Sequence, residues 1–560
     1  MKILTRRRSL QMAAALAALF PAGVFAKKLE QSLADERTRN IFLTGVASGD
    51  PTQDSVVLWT RINLESRSRK NSAKNSQQVS WQLSTSPGFE KILKKGRINT
   101  DASRDFTVKV EVRGLKAGQQ YYYRFLTEGI YSEIGRTRTL PADDVKQLGI
   151  AVVSCSNFPF GFFNAYDAIA EDDAIDFVLH LGDYLYEYGH DGYGAEVGRQ
   201  LKREHVPAHE ILSLNDYRLR HAQYKADIAS RKMHAAHPLI AIWDDHESAN
   251  NPYMQGAQNH QPDEGLWHER RRVSLQAYYE WMPIRDPKRA EKLEELWRYF
   301  EFGKLASLTT LETRHTGRSK QIDYAEHLPS VTNIEQREHF VNSVLGDKAR
   351  TMTSKKMDAF LSQSLDSAVK KNIHWNFIGN QIPMARTHVP TLPEAMYQQL
   401  MQGAPEAIQR EISQFKMLGE LDLPIYTDTW DGYPAAREHF YKRCRASGID
   451  NLFVLTGDSH AFWHNRLSDS NDEFIGYEIG TTAVTSPGDF QALGAELAAK
   501  LDEMIVQKNP EILWTDNLSK GYVRLRITAN QLNCDYIAVS TVSSPTYQVS
   551  VVKSLDYSLL

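Results

Sequence analysis

Phe177-Val178-Leu179-His180-Leu181-Gly182-Asp183-Tyr184-Leu185-Tyr186 reads as a short buried strand that ends in a polar, aromatic turn. A brief apolar run closed by a turn signal is the pattern of a strand covered on both faces. The construction recurs three times. Leu148-Gly149-Ile150-Ala151-Val152-Val153 leads into Ser154-Cys155-Ser156-Asn157, Leu239-Ile240-Ala241-Ile242-Trp243 into Asp244-Asp245-His246-Glu247, and Leu452-Phe453-Val454-Leu455-Thr456 into Gly457-Asp458-Ser459-His460. Strands alternating with helix-like segments from residue 148 onward predict an α/β layered domain. In open α/β sheets the ligand crevice lies beyond the carboxyl ends of the strands, so topology delivers all four clusters to one place.

That convergence has an energetic consequence. A lone Asp after a strand is commonly a turn former or a cap, but Asp183, Asp245 and Asp458 together form a buried anionic group that cations or protons must neutralise. No lysine stands in any of the three clusters, so metal ions are the expected counter-charge. Cys155 offers a thiolate and Tyr186 a phenolate, both compatible with iron. Asp183 is the expected bridging carboxylate, Asp245 and Asp458 would load a second site, and His460 would ligate through a neutral ring nitrogen fixed by a partner on its other nitrogen.

Working outward, residues 40–140 read as all-β. Val56 to Arg61, Val79 to Ser84, Phe106 to Val112 and Tyr121 to Phe125 are β-branched or aromatic runs separated by Gly49-Asp50-Pro51, Ser86-Pro87-Gly88 and Lys116-Ala117-Gly118. This predicts a β-sandwich, and the stretch 115–124 resembles the corner of a fibronectin type III-like domain. Leu140-Pro141 is the expected boundary. The second domain, 148–560, is predicted as a two-sheet α/β/β/α sandwich. Helices are expected over 166–172, 214–229, 266–282 and 358–370. Surface or lid excursions are expected at 317–356 and 390–429, and β structure at 522–527 and 548–552 to complete a second sheet.

The 560 residues are 42% hydrophobic and 24% charged with a formal net charge of −3, which gives no electrostatic case for nucleic acid. The basic stretch Arg67-Ser68-Arg69-Lys70, with Lys74, reads as a solvated loop. Arg6-Arg7-Arg8 followed by Met12 to Phe20 and small residues up to Ala26 reads as a twin-arginine-type signal over 1–26, with an apolar run too short for a mature membrane span. The expected location is periplasmic or secreted, with the twin-arginine export machinery as a partner. Three cysteines, Cys155, Cys444 and Cys534, are an odd number for an exported chain; spacing leaves open whether Cys444 and Cys534 pair.

The order Gly182-Asp183-x-x-Tyr186, Asp245-His246-Glu247 and Gly457-x-x-His460 resembles the calcineurin-like metallophosphoesterases, in which Asn-His-Glu and Gly-His-x-His are usual. Asp245 stands in place of the Asn, Asp458 in place of the first His, and Ser154-Cys155-Ser156 in place of the opening Asp-x-His. These departures resemble the alkaline phosphatase D (PhoD)-like branch, as do Gly45 to Pro51, Val57 to Arg61, Trp430-Asp431-Gly432-Tyr433-Pro434 and Thr485-Ser486-Pro487-Gly488. The resemblance implies a metallophosphoesterase domain that hydrolyses phosphate esters at an iron centre with Cys and Tyr ligands, often accompanied by calcium, so Fe3+ and Ca2+ are the expected cofactors. Such a metal pair lowers the pKa of bound water towards about 7 for in-line attack. His246 is then expected to protonate the leaving group or stabilise the transition state, and Glu247 to orient local structure. Asn157, Asn250 and Asn251 are expected as further metal or substrate contacts, while Glu312 departs from an Asp-Thr-Arg associated with the branch. The expected substrate is a small-molecule or lipid phosphate ester. Phospholipase D-like cleavage of lipid or polymer diesters, and a non-catalytic calcium-dependent surface-binding protein, are the alternative readings.

Overall fold

The computed structural model describes residues 41–63, 76–142, 145–287 and 292–558. The expected export signal and the 67–74 basic stretch lie outside them. Among the described residues no helix is long and apolar enough to cross a membrane.

Two large sheets stack face to face. The first has nine strands, in spatial order Val549–Ser558, Gln531–Val539, Lys520–Thr528, Gln147–Val153, Phe177–His180, Leu239–Ala241, Val46–Gly49, Ser55–Arg61 and Thr107–Arg113. The second has seven: Arg298–Phe302, Ala306–Thr310, Trp375–Gly379, Leu452–Thr456, Phe474–Gly480, Phe462–Ser468 and Ile512–Asp516. Strand alternation divides the side chains. Ile150, Val152, Phe177, Leu179 and Ile240 meet Leu308, Phe377, Phe453 and Leu455 in the core between the sheets. Ala151, Val153 and Val178 face the opposite way, into a core shared with Tyr166, Tyr217 and Tyr278 of the covering helices. Val454 does the same on the outer side of the second sheet, against Leu361, Phe440 and Leu501. The molecule is therefore a mixed α/β protein with helices outside two packed sheets.

Two expectations about strand membership change. The late strands join the first sheet, with Val523 opposite Val152, where a second sheet was expected to take them. The early β region is not a self-contained sandwich either. A five-stranded sheet containing Gln77–Ser84, Ile92–Thr100 and Gln120–Thr127 packs through Val79, Leu83, Tyr123 and Phe125 against Val56, Leu58 and Val108. Those last residues belong to the nine-stranded sheet. The ladder thus runs across the Leu140-Pro141 boundary, with Gly49 opposite Leu239 and the Asp50 N–H donating to the Leu239 carbonyl at 2.9 Å. Asp50 also accepts from Arg298 Nη1 at 2.7 Å, tying this edge to the second sheet.

Helices form at Asn164–Ala170, Trp267–Trp281 and Lys355–Lys370 close to where they were expected. The expected 214–229 helix breaks into Leu214–Ala226 and Ile228–Ala236, because Asp227 leaves helical geometry and caps the second helix by accepting from the Ala229 and Ser230 N–H groups. The excursions at 317–356 and 390–429 pack on each other: Tyr324, Leu328 and Phe340 of one share a small core with Leu418 and Leu423 of the other. All three cysteines are buried and free, so Cys444 and Cys534 are unpaired.

Candidate metal centre

Backbone geometry at the strand ends prepares the site. Cys155, Asp183, Asp458 and His460 have φ of 61°, 53°, 65° and 54°, a left-handed conformation that costs non-glycine residues about 1–3 kcal/mol each and concentrates at functional sites. Gly182 makes the turn possible, since a Cβ there would lie 2.3 Å from the Asp244 nitrogen. Glu247 joins the neighbouring loops, accepting from the backbone N–H groups of Asp183 (3.1 Å), Tyr184 (2.6 Å) and Asp244 (2.8 Å). This is the local orienting role expected of it. From the helix side, buried Arg220 donates to the carbonyls of Tyr186 and Tyr188.

The side chains converge on Asp183. Its Oδ2 lies 3.5 Å from Cys155 Sγ and 3.1 Å from the Tyr186 hydroxyl, which is 3.3 Å from His460 Nε2. The His460 Nδ1–H donates to the Pro487 carbonyl at 2.9 Å, which turns Nε2 inward as an acceptor. Ser486 donates to the Tyr186 hydroxyl at 2.8 Å, so the Thr485-Ser486-Pro487-Gly488 motif props two of the expected ligands. Possible ligand atoms lie within 4.8 Å of one another in three overlapping groups: Cys155, Asp183 and His460; Asp183, Asp245 and His246; and Asp183, Asp244, Asp245 and Asp458. Asp183 belongs to all three.

Electrostatics match a cation site. Burial, then the neighbouring Asp245, pushes Asp183 well above the usual carboxylate value; burial and Asp244 do the same to Asp458. Burial and Asp183 raise both Cys155 and Tyr186. Among the described residues, buried oxygens also stand without partners, namely Asp244 Oδ2, Asp245 Oδ1 and Asn157 Oδ1, and so does the Asn157 amide nitrogen. Buried polar atoms are rarely left so, and these donor types fit a pair of metal ions.

His246 sits over this group. Its ring lies 4.1 Å from that of Tyr186, and its Nδ1 is 2.6 Å from Glu187 Oε2. Glu187 also accepts from the Asn250 N–H (2.7 Å) and Asn259 Nδ2 (2.8 Å). Burial works against a charged imidazole, yet Asp245, Glu187 and Asp183 outweigh it and hold the His246 pKa well above its ordinary value.

A family model described as PhoD-like phosphatase matches residues 150–536, and one for the PhoD-like phosphatase N-terminal domain matches 27–141. The chain belongs to the PhoD-like phosphatase family. Alkaline phosphatase D of Bacillus subtilis (strain 168) is 34% identical over 528 residues, covering 92% of this chain and 80% of that protein. A solved structure of PhoD superposes with a TM-score of 0.75 at 32% identity, covering 93% of this chain and 90% of the other. This PhoD-like phosphatase is a phosphoric ester hydrolase, which sets aside the reading of a non-catalytic surface-binding protein.

Several residues of the site were not anticipated. Arg314, wholly buried, donates through Nε to Asp244 and through Nη2 to Asp458 at 3.2 Å, and lies 3.8 Å from Asp245. The carboxylates therefore have a protein cation as well as any metal; it comes from a strand end outside the clusters. Four carboxylates against one guanidinium still call for further cations or protons. Asp244 and Glu187 were likewise passed over, although both stand beside residues that were singled out. Asn250 and Asn251 contribute differently from expectation: both side-chain amides donate to Gln258, at 2.7 and 3.0 Å, while their backbone N–H groups serve Glu187 and Asp245. Glu312 accepts from Trp243 Nε1 and the N–H groups of Arg314, His315 and Thr316, which makes it the organiser of the loop that presents Arg314.

Proposed function

We propose that this chain hydrolyses phosphate esters at a metal centre held by Cys155, Asp183, Tyr186, Asp245, Asp458 and His460, with iron on the thiolate and phenolate side and calcium among the carboxylates. The observation that carries this reading is the membership of Asp183 in three overlapping ligand groups within one buried space. Metal ions bound there supply charge neutralisation and Lewis acidity for in-line displacement at phosphorus. The protein's own part is positional. Strained turns hold the ligands before substrate arrives, Pro487 and Ser486 fix His460 and Tyr186, and Arg314 keeps the carboxylates of separate strands in register. His246, held in one orientation by Glu187 and kept protonated by Asp245 and Glu187 together, is placed to give a proton to the departing oxygen. Asn157, whose buried side-chain amide has no partner among the described residues, is the best remaining candidate for a further contact with metal or substrate.

The substrate class is a small-molecule or lipid phosphate ester, and a panel of monoesters, diesters and phospholipids run beside metal quantification separates the cases. Purified protein should contain iron; full activity with zinc alone would reject the Cys155 and Tyr186 assignment. Replacing Asp183 by Asn should abolish both metal loading and hydrolysis of a chromogenic phosphate ester, and wild-type turnover would remove Asp183 from the site. Residues 1–26 are proposed to direct export through the twin-arginine machinery; fusion to a reporter with Arg6 and Arg7 changed to Lys should keep the reporter inside the cell.

A further inference from the structure

Immediately after Arg314, the loop turns His315 into a different pocket of about 410 Å³ that none of the metal-centre carboxylates lines. His315 is 2% exposed, and neither of its ring nitrogens has a hydrogen-bond partner among the described residues. Its ring is wedged between those of Trp243 and Trp267, at 5.8 and 6.3 Å, so it cannot swing away to find one. Burial, then Arg271 and Arg314, keeps it neutral, with one N–H to give. Arg271 lines the same pocket. Its Nη1 donates to the Met254 carbonyl and its Nη2 pairs with Glu294, each at 3.1 Å, but its buried Nε has no acceptor among the described residues. A buried donor left unsatisfied keeps its desolvation cost uncompensated, and here two such side chains face one cavity.

The cavity wall adds a third kind of donor. The helix Lys355–Lys370 begins here, and its cap Ser354 accepts from the Met357 N–H. The Lys355 and Lys356 N–H groups have no acceptor among the described residues, and such a terminus attracts negative charge. The local acids are already engaged: Glu294 on Arg271, and Glu295 on Lys292 (3.1 Å) and Lys356 (2.8 Å). Lys355, exposed at the rim, has no such partner among the described residues.

We infer that this pocket is a binding site for a small tetrahedral oxyanion of the phosphate or sulfate class, held by His315, Arg271 Nε and the start of the Lys355–Lys370 helix. The site is separate from the metal centre and does not depend on which metals load it. It is linked to that centre through the loop, since Glu312 fixes the backbone of Arg314 and His315 together.

The test is calorimetric titration of the purified, metal-loaded protein with inorganic sulfate, compared with Arg271→Gln and Lys355→Glu. Lys355→Glu changes only an exposed side chain, so it reports even if Arg271→Gln folds poorly; its folding is checked by an unchanged Tm and unchanged ester hydrolysis without sulfate. Wild-type protein should show a saturable binding event that both variants weaken tenfold or more, and a sulfate-soaked crystal should show the anion between His315 and Arg271. Identical isotherms for wild type and Lys355→Glu, or crystals with sulfate only at the metal centre and water against His315, overturn the assignment.

Discussion

The Glu187 to His246 bond, 2.6 Å long and buried, sets the orientation of the proposed proton donor and, after Asp245, adds to what keeps it charged. Glu187→Gln keeps the shape but removes the charge, so turnover should fall on the order of 10²-fold with metal content unchanged. The sign of the accompanying pH effect follows from the electrostatics: Glu187 raises the His246 pKa, so its loss lowers that pKa, and the alkaline limb of the rate profile should move to lower pH. An unmoved limb would reduce Glu187 to a structural contact. Replacing His246 by Ala should spare the metal and cut turnover, whereas parallel loss of metal would make it a ligand. Arg314→Met should destabilise the chelated protein by about 3–5 kcal/mol, because removing one member of a buried ion group strands the others; urea unfolding measures this. None of these three side chains stood out equally in the sequence. His246 lies directly behind an apolar run, but Arg314 follows Ala-Ser-Leu-Thr-Thr at 306–310, too polar to announce a buried strand, and Glu187 is one more residue in an aromatic stretch.

At the scale of single elements, the strands feeding the centre were legible because their apolar runs are continuous and end abruptly, as at Leu181-Gly182-Asp183. Which sheet a strand joins was not legible, since the Gly49–Leu239 and Val152–Val523 pairings are decided by contacts far apart in the chain. The turn at Gly182, with φ of 110° and no room for a Cβ, gives a sharp expectation: Gly182→Ala should force the Asp183 and Asp244 loops apart and lower both Tm and metal content. The end of the Ile228–Ala236 helix carries a pH dependence of its own. His237 there donates to the Ile169 carbonyl, and burial followed by Arg136 lowers its pKa to about 4. Between that value and the ordinary 6.5 the unfolded chain binds a proton that the folded one does not, so stability falls as the pH drops through this window. The full effect is on the order of 3 kcal/mol. His237→Gln should flatten denaturation midpoints measured from pH 7 to pH 4, and an unaltered slope would assign the acid sensitivity to other groups.

For the whole molecule, the shared nine-stranded sheet makes the early β region part of the catalytic framework. Trp59 shows this directly: its Nε1 donates to the Glu280 carbonyl at 2.9 Å, and its ring lies 5.7 Å from Trp281. A chain starting at residue 145 would bare the edge of the Leu239–Ala241 strand two residues from the Asp244 loop, and open apolar edges aggregate. Such a truncation should be insoluble or inactive, while a soluble, fully active fragment would show that the two regions stand alone. The paired excursions invite a different expectation, about breathing motions. Because Phe340 and Leu418 are buried in one small cluster, neither segment can lift off without uncovering the other. They should exchange their amide hydrogens as one cooperative unit, and a protease that nicks either should leave both open to digestion while the sheets stay intact.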